Sequence, residues 1–165
     1  MSKTRNFVVL FSTLLLFWIL LNGSATTDVL MVGVAAALLI SMLFQEGATV
    51  ISELRLTPKA LFTTVIYLFF FSKELVKSNI NLAKIVLSPE LPLKPGIVKV
   101  RTRLKSRMGR LLLTSSITLT PGTLTVDLVD DWIYVHWVTV DSADIEGATA
   151  AIVSGFEQYL EVMYG

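Results

Sequence analysis

Cysteine is absent from the sequence. Disulfides, thiolate catalysis, iron–sulfur clusters and cysteine-ligated zinc are therefore excluded. Histidine occurs once, at His136, so no site with several histidine ligands can form within one chain. Charge is sparse as well. Only 16% of residues are Asp, Glu, Lys or Arg, against roughly 25% in typical globular chains. Apolar residues make up 53% of the chain and are concentrated in its first half. This distribution predicts a membrane part followed by a more polar domain.

The net charge of +1 hides an asymmetry. Leu91 to Arg110 holds seven Lys or Arg and no Asp or Glu, whereas Leu111 to Gly165 holds eight Asp or Glu and no Lys or Arg. Such blocks mark surfaces that meet something charged, or each other.

Three stretches lack charged residues. Phe7–Leu21 is apolar apart from Ser12 and Thr13, Val29–Phe44 apart from Ser41, and Leu61–Phe71 apart from Thr63 and Thr64. Each is short. Fifteen helical residues cover about 22 Å, against roughly 30 Å of bilayer hydrocarbon. The flanks must help, with Asn22-Gly23-Ser24 extending the first run and Pro58 opening the third at a position where its missing N–H costs little. Lys3, Arg5 and the small residues near Ala25 resemble a cleavable leader, but the second run follows at once and favours a retained hairpin. Gly33, Ala35, Ala36 and Ala37 put small residues on the second helix, where backbones approach closely in lipid. Packing against neighbouring helices is the favoured reading of them, and packing of the hairpin on itself the other. Counting Lys and Arg near the span ends puts Met1–Asn6 and Gln45–Lys59 on one side and the C-terminal half in the cytoplasm; Lys3 and Arg5 argue the other way, and a re-entrant hairpin would satisfy both.

From Ser72 to Leu87 the pattern changes. Val76, Ile80, Ala83 and Leu87 recur at helical spacing, and Lys73, Lys77, Asn81 and Lys84 are assigned to the opposite face. A basic amphipathic helix of this kind suits an anionic lipid interface, or packing on the following domain or a partner. Pro89, Pro92 and Pro95-Gly96 then read as a linker. The domain boundaries expected are 1–87 for the membrane part, 88–96 for the linker and 97–165 for the polar domain.

Ile97–Leu104 alternates strictly. Val98, Val100, Thr102 and Leu104 point one way and Lys99, Arg101 and Arg103 the other, which makes a strand with a basic face. Arg107 to about Leu119 reads as a helix capped by Ser106, with Met108, Leu111, Leu112 and Ser115 on one side. Leu124, Val126 and Leu128 alternate with Thr123, Thr125, Asp127 and Val129 in a second strand. Asp130-Asp131 forms a turn, and Trp132–Thr139, apolar on both faces, reads as a buried third strand. A last helix is capped by Ser142, with Ile145, Ala148, Ile152, Phe156, Leu160 and Met163 as its apolar stripe. The expected fold is thus three short membrane helices plus a small α+β domain, β-α-β-β-α, resembling a ferredoxin-like split sandwich without its last strand.

Between the middle helix and second strand lies Thr120-Pro121-Gly122-Thr123. A phosphate cradle needs several glycines and usually a lysine at a helix N-terminus. This segment has one glycine and no lysine, and it ends a helix, so it reads as a structural turn. No catalytic residue, metal site or cofactor is expected. Asp127, Asp130 and Asp131 cluster at a solvated turn, and His136 sits in a strand without a serine and aspartate at a recognisable catalytic spacing. Nucleic acid is not expected, because the basic face is read as carrying no aromatic on which bases could stack. Lys99, Arg101 and Arg103 are instead candidate contacts to anionic headgroups or an acidic partner. With no charged residue in the apolar runs, the chain alone is a poor ion conductor.

These residues resemble a family. Ser116–Leu128, SITLTPGTLTVDL, followed by YVHWV at Tyr134–Val138, is similar to the E-type subunit of the multisubunit sodium/proton antiporters of the Mrp or Mnh type, whose relatives occur in membrane-bound hydrogenases and related respiratory assemblies. FWILLNGS at Phe17–Ser24 and PELPLKPGIVKV at Pro89–Val100 extend the resemblance over nearly the whole chain. The family usually has Asn where this chain has Ser115. The resemblance implies an accessory or assembly subunit, with no catalytic residues or substrate of its own. Its expected partners are the other membrane subunits of an Mrp-type complex, and lipid, in a prokaryotic cell membrane. An equivalent subunit of a hydrogenase-type complex and a free-standing headgroup-binding module are the alternatives.

Overall fold

In a computed structural model the chain is described at residues 3–44, 53–55 and 57–165. It forms two compact units, Met1–Leu54 and Arg55–Gly165. Of Gln45–Lys59, read from the sequence as lying on the same side of a membrane as Met1–Asn6, residues 45–52 and 56 lie outside the described residues.

The first unit is a hairpin of α1 (Lys3–Asn22) and α2 (Thr27–Leu43). Gly23, at φ +63°, makes the turn after α1. Trp18 fastens the two helices: its indole Nε1 donates to the Val29 carbonyl at 2.9 Å. Its ring lies so close to Gly33 that any side chain there would collide with it. Gly33, Ala37 and Ser41 are the buried positions of α2. Gly33 and Ala37 therefore close the hairpin on itself, which corrects the expectation of packing on neighbours for these two, while Ala35 is exposed and Ala36 half-buried.

Among the described residues no helix is long and apolar enough to cross a membrane. The 20 residues of α1 reach about 30 Å, but they begin Lys3-Thr4-Arg5-Asn6. The second helix has only 17 residues. The third, α3 (Pro58–Leu87), is 30 residues long, and Lys73, Glu74, Lys77 and Lys84 occupy its second half.

The second unit is an α+β arrangement. Strands β1 (Gly96–Arg101), β2 (Thr123–Val129) and β3 (Trp132–Trp137) form an antiparallel sheet in the order β1-β3-β2. Between β1 and β2 runs α4 (Arg107–Leu119), and after β3 come α5 (Ile145–Ile152) and α6 (Ser154–Tyr164). Val98 and Val100 of β1 and Ile133 and Val135 of β3 are buried on the helix side. Thr102 and Leu104 continue that alternation beyond the strand and are also buried.

Several local expectations are corrected. A bulge in β2 separates Thr125, opposite Val135, from Asp127, opposite Tyr134. Leu124, before the bulge, is exposed; Val126, in the bulge, is exposed as well, and after it Leu128 turns inward and is half-buried. Only one face of β3 is buried; the other carries Trp132, Tyr134 and His136, all half-buried. In α4, Ser106 caps as expected, its hydroxyl accepting from the Gly109 N–H. Its buried positions, however, are Gly109, Leu113, Ser116 and Ile117, and Leu111 is exposed. The last helix is two helices. Asp144 is the cap, accepting from the Gly147 N–H at 2.7 Å, and Ser142 hydrogen-bonds Asp144 instead.

The long helix α3 belongs to this second unit, rather than to the hairpin with which the sequence grouped it. Its inner face is aromatic. Phe70 meets Phe156 edge-on with centroids 5.5 Å apart and lies 5.0 Å from the Tyr159 ring, and Phe71 also approaches Phe156. The Tyr67 hydroxyl hydrogen-bonds the buried Ser116 hydroxyl of α4. Aromatic pairs of this kind add about 0.5–1.5 kcal/mol each beyond the area they bury. Phe156→Ala is expected to destabilise the second unit by about 3–5 kcal/mol, read as a lowered urea midpoint in detergent solution. An unchanged midpoint would show that α3 is held elsewhere.

Candidate functional site

The predicted basic residues divide between two roles. Lys99 and Arg101 lie on the sheet face turned away from the helices. Register places Lys99 opposite Tyr134 and Arg101 opposite Trp132. The Lys99 ammonium sits 4.1 Å from the Trp132 ring centroid and 5.8 Å from that of Tyr134, and the Arg101 guanidinium is 5.5 Å from Trp132. Cation–π attraction holds both cations over the rings. The face expected to lack aromatics therefore has two. Reading β3 as buried on both faces hides them, although Trp132 and Tyr134 alternate with Ile133 and Val135 in the sequence. Trp132 and Tyr134 are half-buried, with the Lys99 ammonium near both rings and the Arg101 guanidinium near that of Trp132.

Arg103 is turned to the other end of the strand. Its Nε is 3.4 Å from Glu157 and 3.3 Å from Glu161, both on α6. Glu157 is only 3% exposed. It accepts from the Thr102 hydroxyl at 2.5 Å and from the Arg103 backbone N–H at 2.8 Å. A buried carboxylate needs such donors to offset its lost hydration. Part of the basic block thus meets the acidic block within the molecule.

A second meeting occurs at the β2–β3 turn. Lys105 bonds both oxygens of Asp131, at 2.9 and 2.8 Å, and Arg110 reaches Asp131 at 2.6 Å and the Asp130 carbonyl at 2.5 Å. The hydrogen bond from Lys105, with the charges of Lys105 and Arg110, holds the Asp131 carboxyl below the usual carboxylate range. Among the described residues no group of three or more His, Asp or Glu side chains is placed to hold a metal ion.

The Thr120–Thr123 segment directs its hydrogen bonds inward. The Thr120 N–H donates to the Ser116 and Ile117 carbonyls, and the Thr123 hydroxyl to those of Ile117 and Thr120. The Gly122 carbonyl accepts from Val138, fixing the turn to the end of β3. At φ +94°, residue 122 is in the region that favours glycine. Pro121 and Gly122 border a cleft of about 480 Å³ between α3 and the end of β3, also lined by Lys77, Asn81 and Asp141. The buried Thr139 hydroxyl beside it has no hydrogen-bond partner among the described residues.

The outer face of α3 remains uncovered by the second unit. Phe62, Val65, Phe69, Val76, Ile80 and Leu87 are all exposed, Phe69 to 74% and Leu87 to 82%. Lys73 and Lys77 border the same groove as Val76 and Ile80. The lysines therefore edge the apolar stripe, rather than lying opposite it as expected.

The profile of a family described as MNHE, Na+/H+ ion antiporter subunit, matches residues 11–163. An E1-type Na+/H+ antiporter subunit of Staphylococcus haemolyticus is 34% identical over 160 residues, 93% of this chain and 91% of that one. The E-type Na+/H+ antiporter subunit of Alkalihalophilus pseudofirmus is 49% identical over 82 residues, 48% of this chain; the match spans only about half, 51%, of that relative. A chain in the structure of the membrane-bound sulfane sulfur reductase, an archaeal respiratory membrane complex, superposes with a TM-score of 0.81 at 32% identity, covering 96% of this chain and 98% of that one.

Two outcomes follow from the ion pairs. Because the Asp131 pKa is depressed in the folded state, its contribution is present above the ordinary carboxylate pKa and is lost as pH falls through the lowered value. Asp131→Asn should therefore flatten the loss of stability between about pH 5 and pH 3, measured from urea midpoints; parallel losses in both proteins would rule out this role. Glu157→Ala strands the buried Thr102 hydroxyl, at about 1–3 kcal/mol, and the part-buried Arg103 amide, at less. Glu157→Gln, which keeps an acceptor, should lose less.

Proposed function

The chain belongs to the MNHE family of Na+/H+ ion antiporter subunits, and from that premise we propose that it is a non-catalytic accessory subunit of a multisubunit sodium/proton antiporter in a prokaryotic membrane. One observation carries the reading: the apolar stripe along the outer face of α3, exposed over the length of a 30-residue helix. A face of that extent marks contact with another protein or with lipid. The fixed aromatic and ionic contacts within the second unit support a rigid docking body, not a catalyst.

In this reading α1, α2 and the apolar half of α3 are the three membrane helices. Neighbouring subunits and lipid hold them, since none is long and apolar enough to span unaided. The C-terminal part docks on the cytoplasmic side as a ferredoxin-like split sandwich without its last strand. The sheet order β1-β3-β2, with α4 linking β1 to β2, supports that description. Lys99 and Arg101 face an acidic partner surface or anionic headgroups, while Arg103 is engaged with Glu157 and Glu161. The Thr120–Thr123 turn shapes the domain rather than binding a substrate. No nucleic acid, small-molecule substrate or cofactor enters.

A second reading is favoured by one finding. The superposition on a chain of the sulfane sulfur reductase complex, at TM-score 0.81, supports the equivalent position in a respiratory complex with an antiporter-like module.

Gentle detergent extraction through a tag on Gly165, with mass spectrometry of whatever accompanies the chain, separates the readings. Large polytopic antiporter-like proteins in fixed ratio are expected. An accompanying redox module selects the respiratory complex, and a lone folded chain of 18.2 kDa overturns both.

A further inference from the structure

The main-chain groups of β1 face two ways. Thr102 donates its N–H to the Asp131 carbonyl at 2.9 Å. With the antiparallel register Val100 to Ile133 and Val98 to Val135, alternation turns the backbone groups of Val98 and Val100 toward β3. Those of Ile97, Lys99 and Arg101 then point to the free edge. Two donors beyond the middle of the strand are already used there: the Arg101 N–H bonds the Thr149 hydroxyl of α5, and the Arg103 N–H bonds Glu157. The Ile97 and Lys99 N–H groups have no such partner among the described residues.

We propose that this edge receives an extended segment of another subunit as a fourth strand, with acidic and apolar side chains alternating along it. The inference rests on the reading of the chain as part of a larger assembly. The hydrogen-bonding supplied by such an edge is general, and its side chains decide the occupant. On the outer face, the added strand lies beside Ile97, Lys99 and Arg101. Lys94, Lys99 and Arg101 form no ion pair among the described residues, in contrast to Arg103, Lys105 and Arg110. Carboxylates at alternate positions would complement them. On the helix side, Ile145 lies one turn before Thr149 on α5, sharing its face, and is 44% exposed beside the edge. The other alternate positions of the added strand, apolar, would cover it.

The same charges select against a second copy of this chain. Antiparallel self-pairing centred on Lys99 would set Lys99 against Lys99, with Arg101 close by, and like charges directly opposite are destabilising.

Amide hydrogen exchange, followed by mass spectrometry on the isolated chain and on the purified complex, tests the proposal directly. The Ile97 and Lys99 amides should exchange rapidly in the isolated chain and at least tenfold more slowly in the complex. Ile97→Pro, which removes an edge-facing donor near the start of the strand, should lower recovery of the chain with its partners at least tenfold. Lys99→Glu should do the same without altering the backbone. Equal exchange of both amides in the chain and an intact complex would overturn the fourth strand and leave the accessory-subunit reading standing. Protection arising instead in a homodimer, shown by Lys99→Cys cross-linking to itself, would overturn the acidic partner. A chain that brings no partners at all would remove both readings together.

Discussion

The buried carboxylate of Glu157 is the constraint on which the second unit depends. It must be surrounded by donors, and those donors come from the end of β1: the Thr102 hydroxyl, the Arg103 amide and the Arg103 guanidinium. Satisfying one charge therefore fixes the C-terminal helix against the first strand. Phe156, one residue earlier on that helix, is then held where Phe70 and Phe71 of α3 can pack on it. A sheet, a terminal helix and a helix from the apolar half of the chain are aligned by one side chain with no freedom to turn. The arrangement tolerates a buried charge because each partner is local to one short stretch, 102–103, which leaves the strand with its direction already set.

Much of this unit could be read from the residues. Strict alternation from Ile97 to Leu104 gave the strand and its basic side, Ser106 announced its helix, and Pro121-Gly122 ended it. Other features were hidden because the same letters satisfy two environments. Tyr67, Phe70 and Phe71 sit in an apolar run that suits lipid as well as it suits Phe156 and Tyr159. The bulge at Val126 left no mark in the alternation, yet it reversed which of the following side chains face inward. Trp132 and Tyr134 looked buried because they are apolar, when their cover is Lys99 and Arg101. Ser142 and Asp144 are both good caps, and only geometry chooses Asp144.

The candidate site was legible in type and misjudged in detail. A block of cations followed by a block of anions could face a partner or close on itself, and part of it closes on itself. Arg103, Lys105 and Arg110 close on Glu157 and Asp131, while Lys99 and Arg101 are left over aromatic rings at a free strand edge. Residue type alone could not divide them, because the division follows from which cations the fold brings to Glu157 and Glu161 on α6 and to Asp131 at the β2–β3 turn. The hairpin shows the same ambiguity in apolar form: Gly33, which would suit a neighbour's helix, is used by Trp18.

The aromatic contact between α3 and α6 also has a consequence in time. Phe70 is synthesised well before Phe156 and Tyr159, which belong to the final helix. At about 5–20 residues per second, the interval is on the order of ten seconds. Throughout it, the newly made helix presents both its outer apolar stripe and its aromatic face without the ribosome having supplied a match for either. Its emergence thus precedes the completion of its own domain, and the order of translation obliges the bilayer, a chaperone or a waiting subunit to shelter it first.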